Sequence, residues 1–216
     1  MKGLLLKDLA LMKNQMRSSF IIIAIAVFMM FVNDDLSFSI AYITMVFGIF
    51  GISSISYDDF DKGYTFLFTL PISRREYVLS KYVFAMLSVL TGTLISIVLL
   101  AVGLIAKGSI SEFSGEVLFV VGYVLGVFCL LAVLIPIELK FGVEKGRVAL
   151  LVIGAVAVAG GLALSKLPVN TRMLLILEKF ASMSQVVLFG IFVVVCAVAL
   201  VISYMISCRI MEKKEF

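Results

Sequence analysis

The chain has 216 residues, of which 62% are hydrophobic and 15% are charged, and its mean hydropathy is +1.19. This small number of polar side chains cannot cover the surface of a water-soluble domain. The composition therefore excludes a soluble protein and predicts an all-α, polytopic membrane protein. The formal net charge of +4 does not indicate nucleic-acid binding, because the Lys and Arg residues collect in short segments between apolar runs.

Residues 1–17 are the first predicted element, an amphipathic helix that lies in the membrane interface. Leu5, Leu9, Met12 and Met16 follow one another at spacings of four, three and four, which places them on one helical face. Charged side chains occupy the other faces, as is typical of an interfacial helix. No cleavage site of small residues follows, so this segment is expected to remain in the mature protein.

Six apolar runs without charged residues are each predicted to cross the membrane. They cover residues 18–32, 36–56, 82–106, 117–137, 148–165 and 186–208. A helix needs roughly 20 residues to cross the hydrocarbon core, so the short first run is expected to continue directly from the interfacial helix. Glycines at positions 154, 160 and 161 thin the fifth run, which favours close packing against a neighbouring helix.

The distribution of Lys and Arg predicts the orientation. Fourteen lie on one side, in the N-terminal segment, residues 57–81, the connection between the fourth and fifth runs, and the C-terminal tail, and four lie on the other side. The positive-inside rule then places both termini and the loop of residues 57–81 in the cytoplasm. Residues 166–185 become an external loop, expected to form a short interfacial helix, with a lid over an exit path as the alternative.

The residue types argue against catalysis by this chain. There is no histidine, and the three cysteines, Cys129, Cys196 and Cys208, lie inside or at the edge of apolar runs. The commonest metal ligand and general base are therefore missing, and no cysteine pair has metal-ligand spacing. No stretch matches the glycine-rich phosphate loop. We expect no catalytic, metal or cofactor-binding residue here.

The source of energy for transport is constrained by the spans. None of the six predicted spans has Asp, Glu, Lys or Arg in its interior. Proton-coupled transporters and voltage sensors generally need such a group, so self-powered pumping is disfavoured. Coupling to sodium through hydroxyl groups such as those of Ser53, Thr91 and Ser203 stays an alternative, although these groups more often hydrogen-bond between helices.

The loop of residues 57–81 is the most specific part of the sequence. Ser73 followed by Glu76 is a capping box, which predicts that a helix begins at Ser73 and runs through Lys81 into the third span. Pro71 fixes the turn before it. Residues 58–70 are predicted to form a short helix along the membrane, with aromatic residues on one side and charged residues on another. That composition is typical of a protein interface, and the alternative is a loop whose aromatic rings anchor in the headgroup region.

The whole chain resembles the ABC-2 type permeases. The resemblance is carried by the Lys7, Asp8 and Leu9 triplet of the first helix, by the six spans, and by the Leu-Pro-Ile-Ser-Arg-Arg-Glu-Tyr-Val sequence of residues 70–78 with Lys81 and Tyr82. Within these permeases it is most similar to small bacterial ones that export phenol-soluble modulins and related antimicrobial peptides.

This resemblance implies a permease subunit in a bacterial plasma membrane that exports amphipathic peptides or confers immunity to them. It implies a second permease copy or paralogue and two ATP-binding cassette subunits, which hold the ATP and Mg. The first helix would act as an elbow beside a coupling loop that docks on the ATPase. Carried over to this sequence, the coupling loop consists of Asp58, Asp59, Phe60, Asp61, Lys62, Tyr64, Phe66, Leu67, Phe68, Leu70, Pro71, Ser73, Arg74, Arg75 and Glu76.

The cargo pathway is expected along the second span. Tyr42, Phe47 and Phe50 would suit an amphipathic or lipid-like cargo, although the same residues could equally be helix-packing core. Two other functions fit the sequence. A secondary transporter or channel would move its substrate without an ATPase, and a non-transporting immunity protein would bind a toxin without stimulating any ATPase.

Overall fold

The computed structural model describes residues 2–14, 16–32, 36–59, 63–67, 69, 71–108, 113–165 and 185–214. These residues are helical almost throughout and include no strand, so the all-α prediction is confirmed. The helices are α1 (Lys2–Asn14), α2 (Met16–Val32), α3 (Ser37–Asp59), α4 (Gly63–Leu67), α5 (Arg74–Lys107), α6 (Phe113–Ser165) and α7 (Gln185–Lys213). Helix α6 is interrupted at Gly142, where φ is 74° and ψ is 177°.

Four of the described helices are long and apolar enough to cross a membrane. They occupy Phe38–Asp59, Arg74–Lys107, Gly115–Gly142 and Val187–Lys213, which correspond to the second, third, fourth and sixth predicted spans. The apolar part of α2, Ser19–Met30, is shorter. The segment of the fifth predicted span is helical within α6, but the total of six spans stays a prediction. Residues 166–184, which make up nearly all of the predicted external loop, lie outside the described residues.

Helices α3 and α5 form the centre of the bundle, and they approach each other closely. A Cβ atom added at Gly51 of α3 would lie 2.7 Å from the Cα atom of Ala85 in α5. Real Cβ atoms do not come so close to a backbone atom, so the contact requires glycine. The close packing expected at Gly154 and Gly160 is not seen within the described chain, where an added Cβ would meet no atom within 4 Å.

Hydroxyl groups join the helices inside the apolar bundle. Tyr82 of α5 hydrogen-bonds to Ser203 and Ser207 of α7 at 2.5 and 2.9 Å, and Ser203 donates to the carbonyl of Ala132 in α6 at 2.5 Å. Such bonds are favourable in a bilayer because the lipid hydrocarbon cannot hydrogen-bond to a polar group. The role in helix packing expected for Ser203 is confirmed.

At the predicted coupling loop, the start of α5 after Ser73 agrees with the helix expected there, whereas α3 ends later than expected. Helix α3 continues through Asp59 and α5 begins at Arg74, so charged residues assigned to the loop belong to long helices. Of the described residues in the short helix expected over residues 58–70, residues 58–59 belong to the end of α3, and Gly63–Leu67 forms α4. Phe60, Asp61, Lys62, Phe68 and Leu70 lie outside the described residues.

The contact at Gly51 leads to a prediction about stability. Replacing a helical glycine by alanine gains about 1 kcal/mol from helix propensity, whereas overpacking a core costs about 1–3 kcal/mol. We expect Gly51→Ala to lower the midpoint of thermal unfolding in detergent, followed by circular dichroism. Gly126→Ala is the matched control, because an added Cβ there meets nothing within 4 Å; it should leave the midpoint unchanged or raise it. Equal effects of the two substitutions would contradict the close approach of α3 and α5.

Candidate functional site

The start of α5 is fixed by the predicted capping box, which the structure confirms. The backbone N–H of Glu76 donates to Ser73 Oγ at 3.2 Å, and the backbone N–H of Ser73 donates to Glu76 Oε2 at 3.3 Å. Ser73 is extended, with φ of −75° and ψ of 147°, and α5 follows it without interruption. The direction in which the chain leaves the loop is therefore set at Ser73.

Two turns into α5, the ammonium group of Lys81 is buried between two carboxylates. Its Nζ atom lies 2.9 and 3.1 Å from the carboxylate oxygens of Asp8 in α1, and 2.7 Å from Asp58 Oδ2 in α3. It also donates to Ser54 Oγ at 3.2 Å. Lys81 is 1% exposed, Asp8 is fully buried and Asp58 is 5% exposed. One side chain thus joins three helices.

Asp58 has two further partners that complete the cluster. The hydroxyl of Tyr77 donates to Asp58 Oδ2 at 3.0 Å, and the ammonium group of Lys7 forms an ion pair with Asp58 Oδ1. Two cations and two anions therefore balance at this position, which is the condition under which buried charges are tolerated. We call Lys7, Asp8, Asp58 and Lys81 the charged cluster, and the end of the bundle that contains it the charged end.

Burial shapes the electrostatics of the cluster. Loss of solvation raises the pKa of the Asp8 carboxyl above its usual value, and the ammonium group of Lys81 opposes that shift. Burial also raises the pKa of the Tyr64 hydroxyl, so this phenol stays neutral. Lys81 thus favours the carboxylate form of Asp8, against the effect of burial.

The α4 segment packs against the same helix ends. The ring of Tyr64 meets that of Tyr77 edge-on, with centroids 5.8 Å apart, and Lys214 Nζ lies 4.6 Å from the centroid of Tyr64. Tyr64 and Leu67 are buried, which departs from the exposed aromatic face expected for this segment. The reason is that Tyr77, one turn inside α5, provides an apolar surface that covers Tyr64.

The first turn of α5 holds the C-terminal end of α7. The guanidinium group of Arg74 donates to the backbone carbonyls of Met211 and Glu212 at 2.9 and 2.7 Å. Arg75 Nε lies 2.7 Å from Glu212 Oε1, in an exposed ion pair. A cation near the last carbonyls of a helix is favourable because those carbonyls lack partners within the helix.

The described residues predicted for the coupling loop and the elbow helix differ in their exposure. Asp8, Asp58, Tyr64 and Leu67 are buried among the helices, whereas Leu9, Pro71, Ser73, Arg75 and Glu76 are exposed. Asp59 and Arg74 are intermediate, and Phe66 is in α4, although its side chain is not described. The buried group anchors the segment, and the exposed group is the part of its surface that a second protein can reach.

Sequence reasoning missed the charged cluster because it placed Asp58 in a loop and did not bring Lys81, on the predicted helix after Ser73, into contact with α1 or α3. Its signal is nevertheless present in the spacing. Ser54 and Asp58 are four residues apart in α3, and Tyr77 and Lys81 are four apart in α5, so each pair shares one helical face. Complementary polar faces on adjacent apolar helices are typical of helices that meet through buried ion pairs.

Of the three aromatic residues proposed to line a pathway, Phe47 lies in the helix-packing core. Phe47 is buried, packs edge-on against Phe50 with centroids 5.8 Å apart, and lies where Gly92 of α5 leaves room for it. A cavity of about 310 Å³ lies instead between α3 and α6, on another face of α3. Tyr42, Phe47 and Phe50 are not among its lining residues, so the alternative of helix-packing core is favoured for Phe47.

The apolar helices and the buried charges that join them define a polytopic membrane protein. Residues 3–212 match the family described as ABC-2 family transporter protein, so the chain belongs to that family. No curated protein matches it. The match extends over nearly the whole chain and includes every residue of the charged cluster.

The charged cluster leads to a prediction about stability. Breaking a buried ion pair by removing one partner costs about 3–5 kcal/mol, because a charge stays buried without compensation. We expect Lys81→Met to lower the thermal unfolding midpoint strongly. Arg75→Gln is the matched control, since it removes an exposed pair, and it should change the midpoint little.

A double-mutant cycle separates pairing from packing in the same experiment. Asp8→Asn combined with Lys81→Gln removes both charges of one pair, so it should cost less than the sum of the two single substitutions. Additive losses would show that Asp8 and Lys81 do not interact. If Lys81→Met lowers the unfolding midpoint no more than Arg75→Gln does, the charged cluster does not stabilise the fold.

Proposed function

We propose that the chain is the transmembrane permease subunit of an ATP-driven exporter and that the segment between α3 and α5 receives the ATPase. Membership of the ABC-2 family supports the permease role. The observation that carries the coupling role is the charged cluster, which ties the helix entering this segment, the helix leaving it and α1 to one another.

The contacts of the cluster explain how force would pass. Asp58 precedes the segment, and Tyr77 and Lys81 follow it, yet all three are in direct contact. A displacement of the segment would therefore move the ends of α3 and α5 together, and Asp8 would move α1 with them. Packed interfaces of this kind switch between discrete arrangements and do not deform continuously, as a transport cycle requires.

Partner and location follow from this proposal. The exposed residues Pro71, Ser73, Arg75 and Glu76 form the described part of the docking surface, together with the predicted contribution of residues 60–62 and 68.

ATP and Mg are bound by two copies of the partner, and a second permease copy or paralogue completes the assembly. The charged end faces the cytoplasm of a bacterial cell, and amphipathic peptides are the cargo.

Co-purification tests the docking surface. The tagged chain is expressed with an ATP-binding cassette subunit of the same genome, starting with any that is encoded beside it. We expect a complex that survives affinity purification and gel filtration. The Phe60→Ala and Phe68→Ala double variant should lose the ATPase, whereas Tyr64, being buried, is left unchanged so that the fold is kept.

The matched control removes two phenylalanines at the start of α6, outside the segment between α3 and α5. Phe113→Ala and Phe119→Ala change exposed rings in the first turns of α6 and should keep the ATPase bound. Loss of the ATPase in both double variants would mean that the effect is not specific to the segment. Failure of the native chain to bind any such ATPase would refute the proposal.

A further inference from the structure

Another cavity lies between the start of α5 and the last turns of α7, and we call it the α5–α7 pocket. It has a volume of about 310 Å³ and is lined by Arg75, Tyr204, Met205, Cys208, Arg209 and Glu212. Two of these side chains carry a guanidinium group and one carries a carboxylate. The lining of the pocket therefore has a net positive charge.

Contacts between α5 and α7 fix the shape of the pocket. Arg74 donates to the last carbonyls of α7, which holds the two helix ends together. The ring of Tyr204 packs edge-on against that of Tyr82, with centroids 5.7 Å apart, and Cys208 is buried. The lining is thus positioned by the packing of the two helices.

The two arginines of the pocket differ in their pairing. Arg75 Nε lies 2.7 Å from Glu212 Oε1. Arg209 is exposed and forms no ion pair with another residue of the described ranges. A guanidinium group has five N–H donors, so Arg75 keeps donors beyond the one that faces Glu212. An anion in the pocket can therefore bind to both arginines.

Arg209 lies where the apolar part of α7 ends. The spanning part of α7 is Val187–Lys213, and its run without charged residues ends at Cys208. The first charge after such a run is expected at the level of the lipid headgroups, because hydrocarbon does not solvate a charge. The α5–α7 pocket therefore lies at the depth of the lipid phosphate groups.

An exposed apolar stripe leads along α7 to the pocket. It consists of Val194, Val198, Val201 and Met205, which follow one another at spacings of four, three and four, and Arg209 comes four residues later. Residues at these spacings share one face of a helix. The four apolar side chains are between 52 and 62% exposed. The stripe and the pocket thus offer an apolar surface that ends in a cationic group.

We propose that the α5–α7 pocket binds the phosphate group of an anionic phospholipid, with an acyl chain along the stripe. Basic pockets at the ends of spanning helices attract anionic headgroups, and guanidinium groups bind phosphate through charge-assisted hydrogen bonds. Phosphatidylcholine carries the same phosphate, but its quaternary ammonium group cancels the negative charge. The volume is at the small end of the range for ligand sites, so the pocket holds a headgroup and leaves the acyl chain outside. Lipid binding at this site does not require the ATPase.

The chain contains no tryptophan, so a single one can report on lipid at this site. Ile202→Trp places an indole at an exposed position three residues before Met205 and leaves the lining of the pocket unchanged. The reporter chain is reconstituted into vesicles of equal parts phosphatidylglycerol and phosphatidylcholine, with bromine on the acyl chains of one or the other lipid. Bromine quenches tryptophan emission, so the two preparations report which lipid lies beside the indole. We expect phosphatidylglycerol to bind about fivefold more tightly than phosphatidylcholine, as one cation near the membrane surface provides.

Two variants of the reporter chain test the role of Arg209. Arg209→Gln leaves only the paired Arg75 and Glu212, so the preference for phosphatidylglycerol should be lost. Lys140→Gln is the matched control, because it removes an exposed cation of α6 that does not line the pocket, and it should keep the preference. Arg75 is left unchanged, since it also belongs to the proposed docking surface. Equal loss in both variants would reflect overall charge and would overturn the proposed site.

The unsubstituted pocket decides the question even if Arg209→Gln fails to fold. Equal quenching by the two brominated lipids would overturn the proposal. Quenching by neither would also overturn it, because a second protein chain would then cover the stripe. Inorganic phosphate, added at an ionic strength held constant with chloride, should leave the preference intact, since it makes no contact with the stripe. Loss of the preference in phosphate would indicate a site for soluble phosphate and would overturn the lipid assignment.

Discussion

The ammonium group of Lys81 is the contact on which the charged end depends. It is buried in an apolar bundle, where it requires anionic partners, and it finds them in Asp8 of α1 and Asp58 of α3. Those two carboxylates come from positions 73 and 23 residues earlier in the chain. The requirement of one cation for partners therefore fixes three helix ends relative to one another, and α4 packs on the surface that results.

Much of the fold follows from local sequence, and the cluster does not. The long apolar runs and the Ser73 and Glu76 pair act within a few residues, so four spans and the start of α5 could be predicted. The second span was assumed to end at its first charge, whereas α3 continues through Asp58 and Asp59. Paired charges can continue a helix, and the pairing of Lys81 with Asp8 is visible only once α1 is folded against α5.

Two faces of α3 serve different purposes. One carries Ser54 and Asp58 into the charged cluster, and another, with Ile49 and Ser56, lines the cavity shared with α6. Phe47 packs against α5 on the same face as Ser54 and Asp58, from which it is seven and eleven residues away. Because a single helix joins the cluster to the cavity, a movement imposed at the segment after Asp59 would reach the cavity wall directly. Aromatic content alone, on which the predicted pathway of Tyr42, Phe47 and Phe50 relied, does not distinguish these faces.

Transport into sealed vesicles tests the central claim, that ATP hydrolysed by a partner drives this chain. Vesicles are prepared with the chain, with the ATPase, or with both, and uptake of a labelled amphipathic peptide is followed with ATP or with an ion gradient. We predict uptake only when both subunits and hydrolysable ATP are present, and no loss when ionophores collapse the gradients. Uptake by the chain alone, driven by an ion gradient, would contradict this account and indicate a secondary transporter.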